Sequence, residues 1–334
     1  MSGERDFRAL EAHNRRETAV LVLVFVAILA ALGFGLDFLV GDLRISDGGL
    51  IGFPFLTLIA IVFASIQSLA SYFGGSSLIL LSVHARPLQT DTPKHEQVLN
   101  VIREMAIAAR LPVPRAYLID DPAPNAFATG RDPAHSVICV TQGLVDNMDR
   151  EELQGVLGHE MAHIRDYDIR TMMMITILVG GIAMLSDFTM RMSFYGGFGG
   201  GRRRSDSSDN GGGGGGALIA VAVLLLAVLA PLISQLLSMA VSRQREYLSD
   251  ASSVEFTRNP RALLRALEHI AQIESPLRDA SRGTAHLFIV NPLRRAIDER
   301  EGFWADLLST HPPLVKRIER LRALAGEAPV SAQG

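Results

Sequence analysis

The sequence predicts a mainly α-helical membrane protein: transmembrane helices carrying a cytoplasmic α+β domain with a small β-hairpin or sheet. Three observations predict it. Apolar residues make up 48% of the 334-residue chain and mean hydropathy is positive, high for a soluble protein. Long uncharged runs alternate with stretches of ordinary polar composition, and one of those stretches carries a capped amphipathic helix. The length allows one large domain or two small ones. A formal net charge of −3 gives nucleic acid or another polyanion no electrostatic footing. The one cysteine, Cys139, excludes an internal disulfide and reads as a buried strand residue.

Residues 19–36 are uncharged and dense in Val, Leu, Ala and Phe, long enough to cross a bilayer core. A cleaved signal peptide competes with a retained anchor, because a basic stretch precedes the run. The run's length and a second apolar run close behind favour the anchor. That second run, 50–81, is interrupted by Pro54 and the Gly74-Gly75 pair. The N-terminal tail carries Arg5, Arg8, Arg15 and Arg16, whereas the loop between the runs sets Arg44 against Asp37, Asp42 and Asp47. The positive-inside rule then places the tail, and everything after the second span, in the cytoplasm. Two later runs are weaker. Residues 217–239 are long enough to span despite Pro231, whereas 172–185 are short and suit a buried core helix or a partial insertion equally. Between them, Arg202-Arg203-Arg204 and a glycine tract read as a low-complexity linker. The triple Arg sits badly on the outer side.

The chemistry is concentrated after Asn147. Asp149 caps a helix and Glu152 completes a capping box, while Leu153, Val156, Leu157 and Met161 form its apolar stripe. On this helix stands His159-Glu160-Met161-Ala162-His163. Histidines four apart share one helical face and reach one ion, while Glu160 projects away from it, toward a water. Two imidazoles and a carboxylate suit zinc, with the fourth position left to water. Glu160 is then the general base, taking the water's proton and passing it to the leaving amine. The third ligand is expected in Ser242-Arg-Gln-Arg-Glu246-Tyr-Leu-Ser-Asp250, where Glu246 and Asp250 share a helical face. Glu246 completes the set, and Asp250 accepts the free N–H of a zinc histidine. Because His163 and Glu246 must meet, the insert between them leaves and returns on one side. Either both of its apolar runs span, as a hairpin, or neither does.

Taken together, these segments resemble the HtpX-type zinc endopeptidases, of the gluzincin family that also holds the CAAX prenyl protease. The resemblance covers almost the whole chain. It includes Asn125-Ala-Phe-Ala-Thr-Gly130, the extended motif His159–Asp168, Arg243–Asp250, Thr284-Ala-His-Leu-Phe-Ile-Val-Asn-Pro292 and Thr310-His-Pro-Pro313. It implies a zincin-like catalytic domain with one Zn2+ per chain, in a multi-pass protein of the bacterial inner membrane. It also implies endoproteolysis, on the cytoplasmic side, of unfolded or misfolded membrane proteins in quality control. Residues 125–130 and 136–141 read as a β-hairpin. The resemblance makes its edge, at Asn125, Ala126 and Phe127, a strand that pairs with extended substrate; a purely structural hairpin is the competing reading. It further implies that His311, with Arg317, approaches the site and stabilises the oxyanion, against a satisfied structural histidine.

The expected organisation is a tail and two transmembrane helices over 1–87 and a first catalytic part with the zinc helix over 88–170. A hydrophobic hairpin with its Gly-rich linker follows over 171–238, then a second catalytic part over 239–324 and a loose tail over 325–334. Two other readings compete. An intramembrane protease would set the histidine motif within an apolar span, but here the flanks are Asp149-Arg-Glu-Glu and Arg165-Asp-Tyr-Asp-Ile-Arg. A non-catalytic zinc scaffold or chaperone has no use for Glu160 and would close the fourth metal position.

Overall fold

The computed structural model describes residues 3–40, 43–46, 49–194, 243–273, 284–290 and 312–327. The predicted span 217–239, the triple Arg with its glycine tract, His311 and the last residues of the tail lie outside them. The chain divides into two compact units. The first comprises Met1–Thr18, Tyr72–Ile177 and Ser238–Gly334; the second comprises Ala19–Ser71 and Leu178–Leu237.

The second unit contains most of helix α1 (Gly3–Val40), the hairpin β1 (Leu43–Ser46) and β2 (Gly49–Gly52), and the first part of α2 (Phe55–Ser82). Two stretches, Arg16–Gly35 and Phe55–Ser82, are long and apolar enough to cross a membrane, the only such helices among the described residues. The second run therefore starts later than the sequence suggests. Leu50 lies in β2, and Pro54 stands just ahead of the helix, where its missing N–H costs nothing. The Gly74-Gly75 pair is passed without a break. The start of α2 is capped from α1: Asp37 accepts from the Leu56 amide at 2.8 Å and the Thr57 amide at 2.9 Å. Those amides are orphan donors of a helix end, so a carboxylate there satisfies both and complements the dipole.

The first unit is α+β. A four-stranded sheet has the order β3 (Arg86–Pro87), β4 (Arg115–Ile119), β6 (Ser136–Thr141), β5 (Ala126–Gly130). Strands β5 and β6 form the expected antiparallel hairpin, Ala126 opposite Val140 and Gly130 opposite Ser136. Strand β4 pairs with β6 in parallel, which the sequence reading did not include. Helices α3 (Pro93–Ala109), α4 (Gln142–Asn147), α5 (Arg150–Arg165), α7 (Arg243–Thr257), α8 (Pro260–Gln272) and α9 (Leu314–Leu324) complete the unit. Helix α6 (Asp168–Phe194) begins there, and its residues Met172, Met173, Met174, Ile175 and Leu178 are buried.

Helix α5 is central, packing against α3, α7, α8 and β5. Its start has the predicted capping box: Asp149 accepts from the Glu152 amide at 2.8 Å, and Glu152 from the Asp149 amide at 2.9 Å. Leu153, Val156, Leu157 and Met161 are buried in the core as the stripe requires. Gly155 permits the close approach of α8, since a Cβ there would stand 2.4 Å from the Leu263 backbone nitrogen. These contacts make α5 a rigid platform for its polar residues.

Candidate metal centre

The four-residue spacing on α5 brings His159 and His163 together edge to face, their Nε2 atoms 3.2 Å apart. Helix α7 supplies Glu246, with Oε2 3.6 Å from His159 Nε2 and Oε1 3.5 Å from His163 Nε2. All three residues are buried, and their ligand atoms lie within 4.8 Å of one another. Tetrahedral zinc with arms of about 2.0–2.1 Å separates its ligand atoms by about 3.3–3.4 Å. The closest separations, 3.2, 3.6 and 3.5 Å, are of that size, the two to Glu246 ending on different carboxylate oxygens, and two imidazoles with a carboxylate are the donor chemistry zinc favours, so these residues fit the ion.

Each histidine is oriented through its other nitrogen. Asp250 Oδ1 lies 3.0 Å from His159 Nδ1, the contact expected of Asp250 from the sequence. Asp168 Oδ2 lies 3.2 Å from His163 Nδ1, with Ser249 Oγ at 3.3 Å. Sequence reasoning missed Asp168, taking the stretch Arg165–Arg170 as water-seeking. Instead Asp166, Asp168 and Arg170 are buried within the protein. Tyr167, at φ 62°, breaks the helical path between α5 and α6 in the left-handed region, costing about 1–2 kcal/mol. Asp168 thereby begins a new helix and turns back to His163. The other flank faces water through Asp149, Arg150 and Glu151, whose side chains are more than half exposed, while Glu152 is buried in the capping box.

Arg317 on α9 is the largest fully buried side chain among the described residues. Its Nη2 donates to Asp250 Oδ1 at 2.6 Å and its Nε to Asp250 Oδ2 at 3.0 Å, a forked pair, while Nη1 donates to the Ile289 carbonyl at 2.8 Å. Nη1 also lies 3.7 Å from Glu246 Oε2. Arg317 thus reaches the site from behind His159, through Asp250.

Glu160 is buried and stands outside the ligand cluster, held by the Ala128 amide of β5. Burial pushes its carboxyl up to about 7; His163 opposes this and Glu246 adds to it. Burial likewise pushes His159 down to about 4, toward the neutral imidazole a metal needs. At His163 burial is outweighed by Asp168 and Glu246, which raise it to about 9, so a metal there displaces a proton. Asp250 is held below the carboxylate range, the charge of Arg317 and the His159 hydrogen bond outweighing burial.

The three residues expected at the substrate edge are together but covered. Asn125 lies just ahead of β5, Ala126 and Phe127 within it, and all three are buried. Asn125 Nδ2 donates to the Val290 carbonyl at 2.8 Å, and the Phe127 ring meets Phe288 edge-on with centroids 5.0 Å apart.

A two-histidine helix, a buried carboxylate from another helix and a second buried glutamate beside them are the residue set of a metalloprotease, and comparison with known proteins agrees. Residues 93–325 match the model of Peptidase family M48, and the chain belongs to that family. It is 40% identical over 315 residues to a protein described as a protease HtpX homolog from Lactobacillus helveticus, covering 94% of this chain and 98% of that protein. Another protease HtpX homolog, from Caldanaerobacter subterraneus, is 40% identical over 321 residues, covering 96% and 99%. Among solved structures, Ste24p of S. mikatae aligns over 94% of this chain and 66% of that one, with 18% identity and a TM-score of 0.46.

Proposed function

We propose that this metalloprotease is a membrane-anchored, zinc-dependent endopeptidase that cuts unfolded or misfolded membrane proteins on the cytoplasmic side. The observation that carries the reading is the buried His159–His163–Glu246 cluster with Glu160 beside it. Those three residues would hold zinc, one per chain. When bound it supplies a Lewis acid that acidifies water and polarises the scissile carbonyl. Glu160 accepts the proton of the attacking water and delivers it to the leaving amine nitrogen. Its raised pKa suits that work near neutral pH. Asp250 and Asp168 orient the two imidazoles and hold their tautomers. Arg317 fixes Asp250 and keeps positive potential behind the site. The oxyanion role is left to His311.

The anchor rests on Arg16–Gly35 and Phe55–Ser82, and the cytoplasmic placement on the arginine-rich tail. The chain is read as 1–87 anchor, 88–170 and 239–324 catalytic domain, and 171–238 an inserted hydrophobic hairpin, in a multi-pass protein of the bacterial inner membrane.

The test is cleavage of casein by detergent-purified, zinc-loaded protein, beside Glu160→Gln and a chelated control. Cleavage by wild type alone supports the mechanism. Equal cleavage by Glu160→Gln removes Glu160 as the base. Zinc-replete wild type that never cuts turns the reading toward a scaffold that recruits partners.

A further inference from the structure

Strand β5 is the outer strand of its sheet, and an outer strand offers every second residue's N–H and C=O for pairing. The Thr141 amide donates to the Asn125 carbonyl at 3.0 Å, so Asn125 faces inward to β6. Ala126 and Ala128 therefore present their backbone groups outward. Three of those four outward groups are engaged by the chain itself. The Ile289 amide donates to the Ala126 carbonyl at 2.9 Å, the Ala126 amide to Asn125 Oδ1 at 3.1 Å, and the Ala128 amide to Glu160.

We propose that residues 284–290 form an autoinhibitory strap, lying in the place of an extended substrate along β5, which substrate must displace to reach the metal centre. Four contacts seat the strap. They are the Ile289 amide on Ala126, the Val290 carbonyl on Asn125, the Phe288 ring on Phe127, and the Ile289 carbonyl on Arg317. At its other end His286 Nε2 lies 3.0 Å from Thr176 Oγ1. The strap is thereby tied to the metal centre, because Arg317 also holds Asp250 and Asp250 holds His159. It mimics a bound polypeptide in chemistry: a backbone donor for the strand, an aromatic ring for Phe127, and a backbone carbonyl for Arg317. An unfolded chain has many such segments to offer in exchange, whereas a folded protein has its own strands already paired. The strap thus favours unfolded substrates by making every substrate compete for the edge.

The inference rests on the reading of β5 as the edge that takes substrate, so its test reads binding separately from catalysis. Fluorescein-labelled, denatured casein is titrated onto zinc-loaded Glu160→Gln protein with and without Ile289→Pro, which removes the strap's amide donor. Loss of one backbone hydrogen bond predicts casein binding about three- to tenfold tighter. Unchanged or weaker binding by folded, zinc-replete Ile289→Pro protein overturns the strap. Should Ile289→Pro fail to fold, Phe288→Leu, which keeps an apolar side chain but removes the ring contact with Phe127, is titrated in the same way. Tighter casein binding is expected, and unchanged or weaker binding by the folded protein overturns the strap. Tighter casein binding by Ile289→Pro, with no cleavage by any protein that keeps Glu160, leaves the strap standing and removes the proposed protease chemistry.

Discussion

Along α2, Phe55, Leu58, Ile59, Val62, Phe63 and Ile66 are exposed, while Ala64, Ser68 and Ser71 are buried. Along α5, His159, Glu160 and His163 are buried, and the exposed residues are charges of the first turn such as Arg150 and Glu151. Over residues 55–71, α2 turns most of its large apolar side chains outward and buries Ala64, Ser68 and Ser71, whereas α5 hides its most polar residues. In water both arrangements are costly. The α2 arrangement becomes favourable when hydrocarbon replaces water around it, and Ser68 satisfies its hydroxyl on the Ala64 carbonyl at 2.8 Å. The α5 arrangement is sustained because its polar groups meet others: Asp250 and Asp168 on the imidazoles, Arg317 on Asp250. Burial of a polar group is tolerated only with partners. The lesson is that α2 answers to its solvent and α5 to its neighbours.

Substitutions can break this contrast, and their expected effects descend in size. Glu160→Gln should lower casein cleavage by about two to four decades while metal content, measured by atomic absorption, stays at the wild-type level. Arg317→Met leaves the buried Asp250 and Glu246 without their compensating charge. It should cost about 3–5 kcal/mol in a denaturation midpoint, and Arg317→Lys should restore little, because lysine lacks the forked donors. On α2, Ile66→Arg should disfavour membrane insertion by about 2.5–3.5 kcal/mol in a translocon reporter assay; indifference there would mean that α2 does not span. Asp168→Asn should weaken zinc binding about 10- to 100-fold in chelator competition. Smallest is Ile66→Ala, expected to shift stability in detergent by at most about 0.5 kcal/mol. Leu157→Ala on α5 should cost about 2–5 kcal/mol in the same assay, and equal losses would erase the distinction between the two helices.

Much of the site was legible because helical spacing is a local property. The pair at 159 and 163, the capping box at Asp149 and Glu152, and the Glu246–Asp250 pair all follow from residues within one or two turns. The hairpin of β5 and β6 was legible for the same reason, since a short turn joins its strands. Asp168 was not legible as a partner of His163. Its position depends on one left-handed residue, Tyr167, and no pattern of composition announces a positive φ at tyrosine. The parallel pairing of β4 with β6 joins strands that are not adjacent in the chain, so nothing near either one marks it. Arg317 sits among ordinary helix charges in the sequence, and its burial against Asp250 arises only when α9 packs in place.

The sequence by itself singled out the candidate ligands His159, His163 and Glu246, the candidate base Glu160 and the two apolar runs, because each is written in local periodicity and residue chemistry. Only the tertiary structure decided what stands around them. It set which carboxylate holds which imidazole, it turned Arg317 toward Asp250, and it laid residues 288–290 on the edge of β5. Those outcomes depend on distances between segments far apart in the chain, which packing sets and local pattern does not contain.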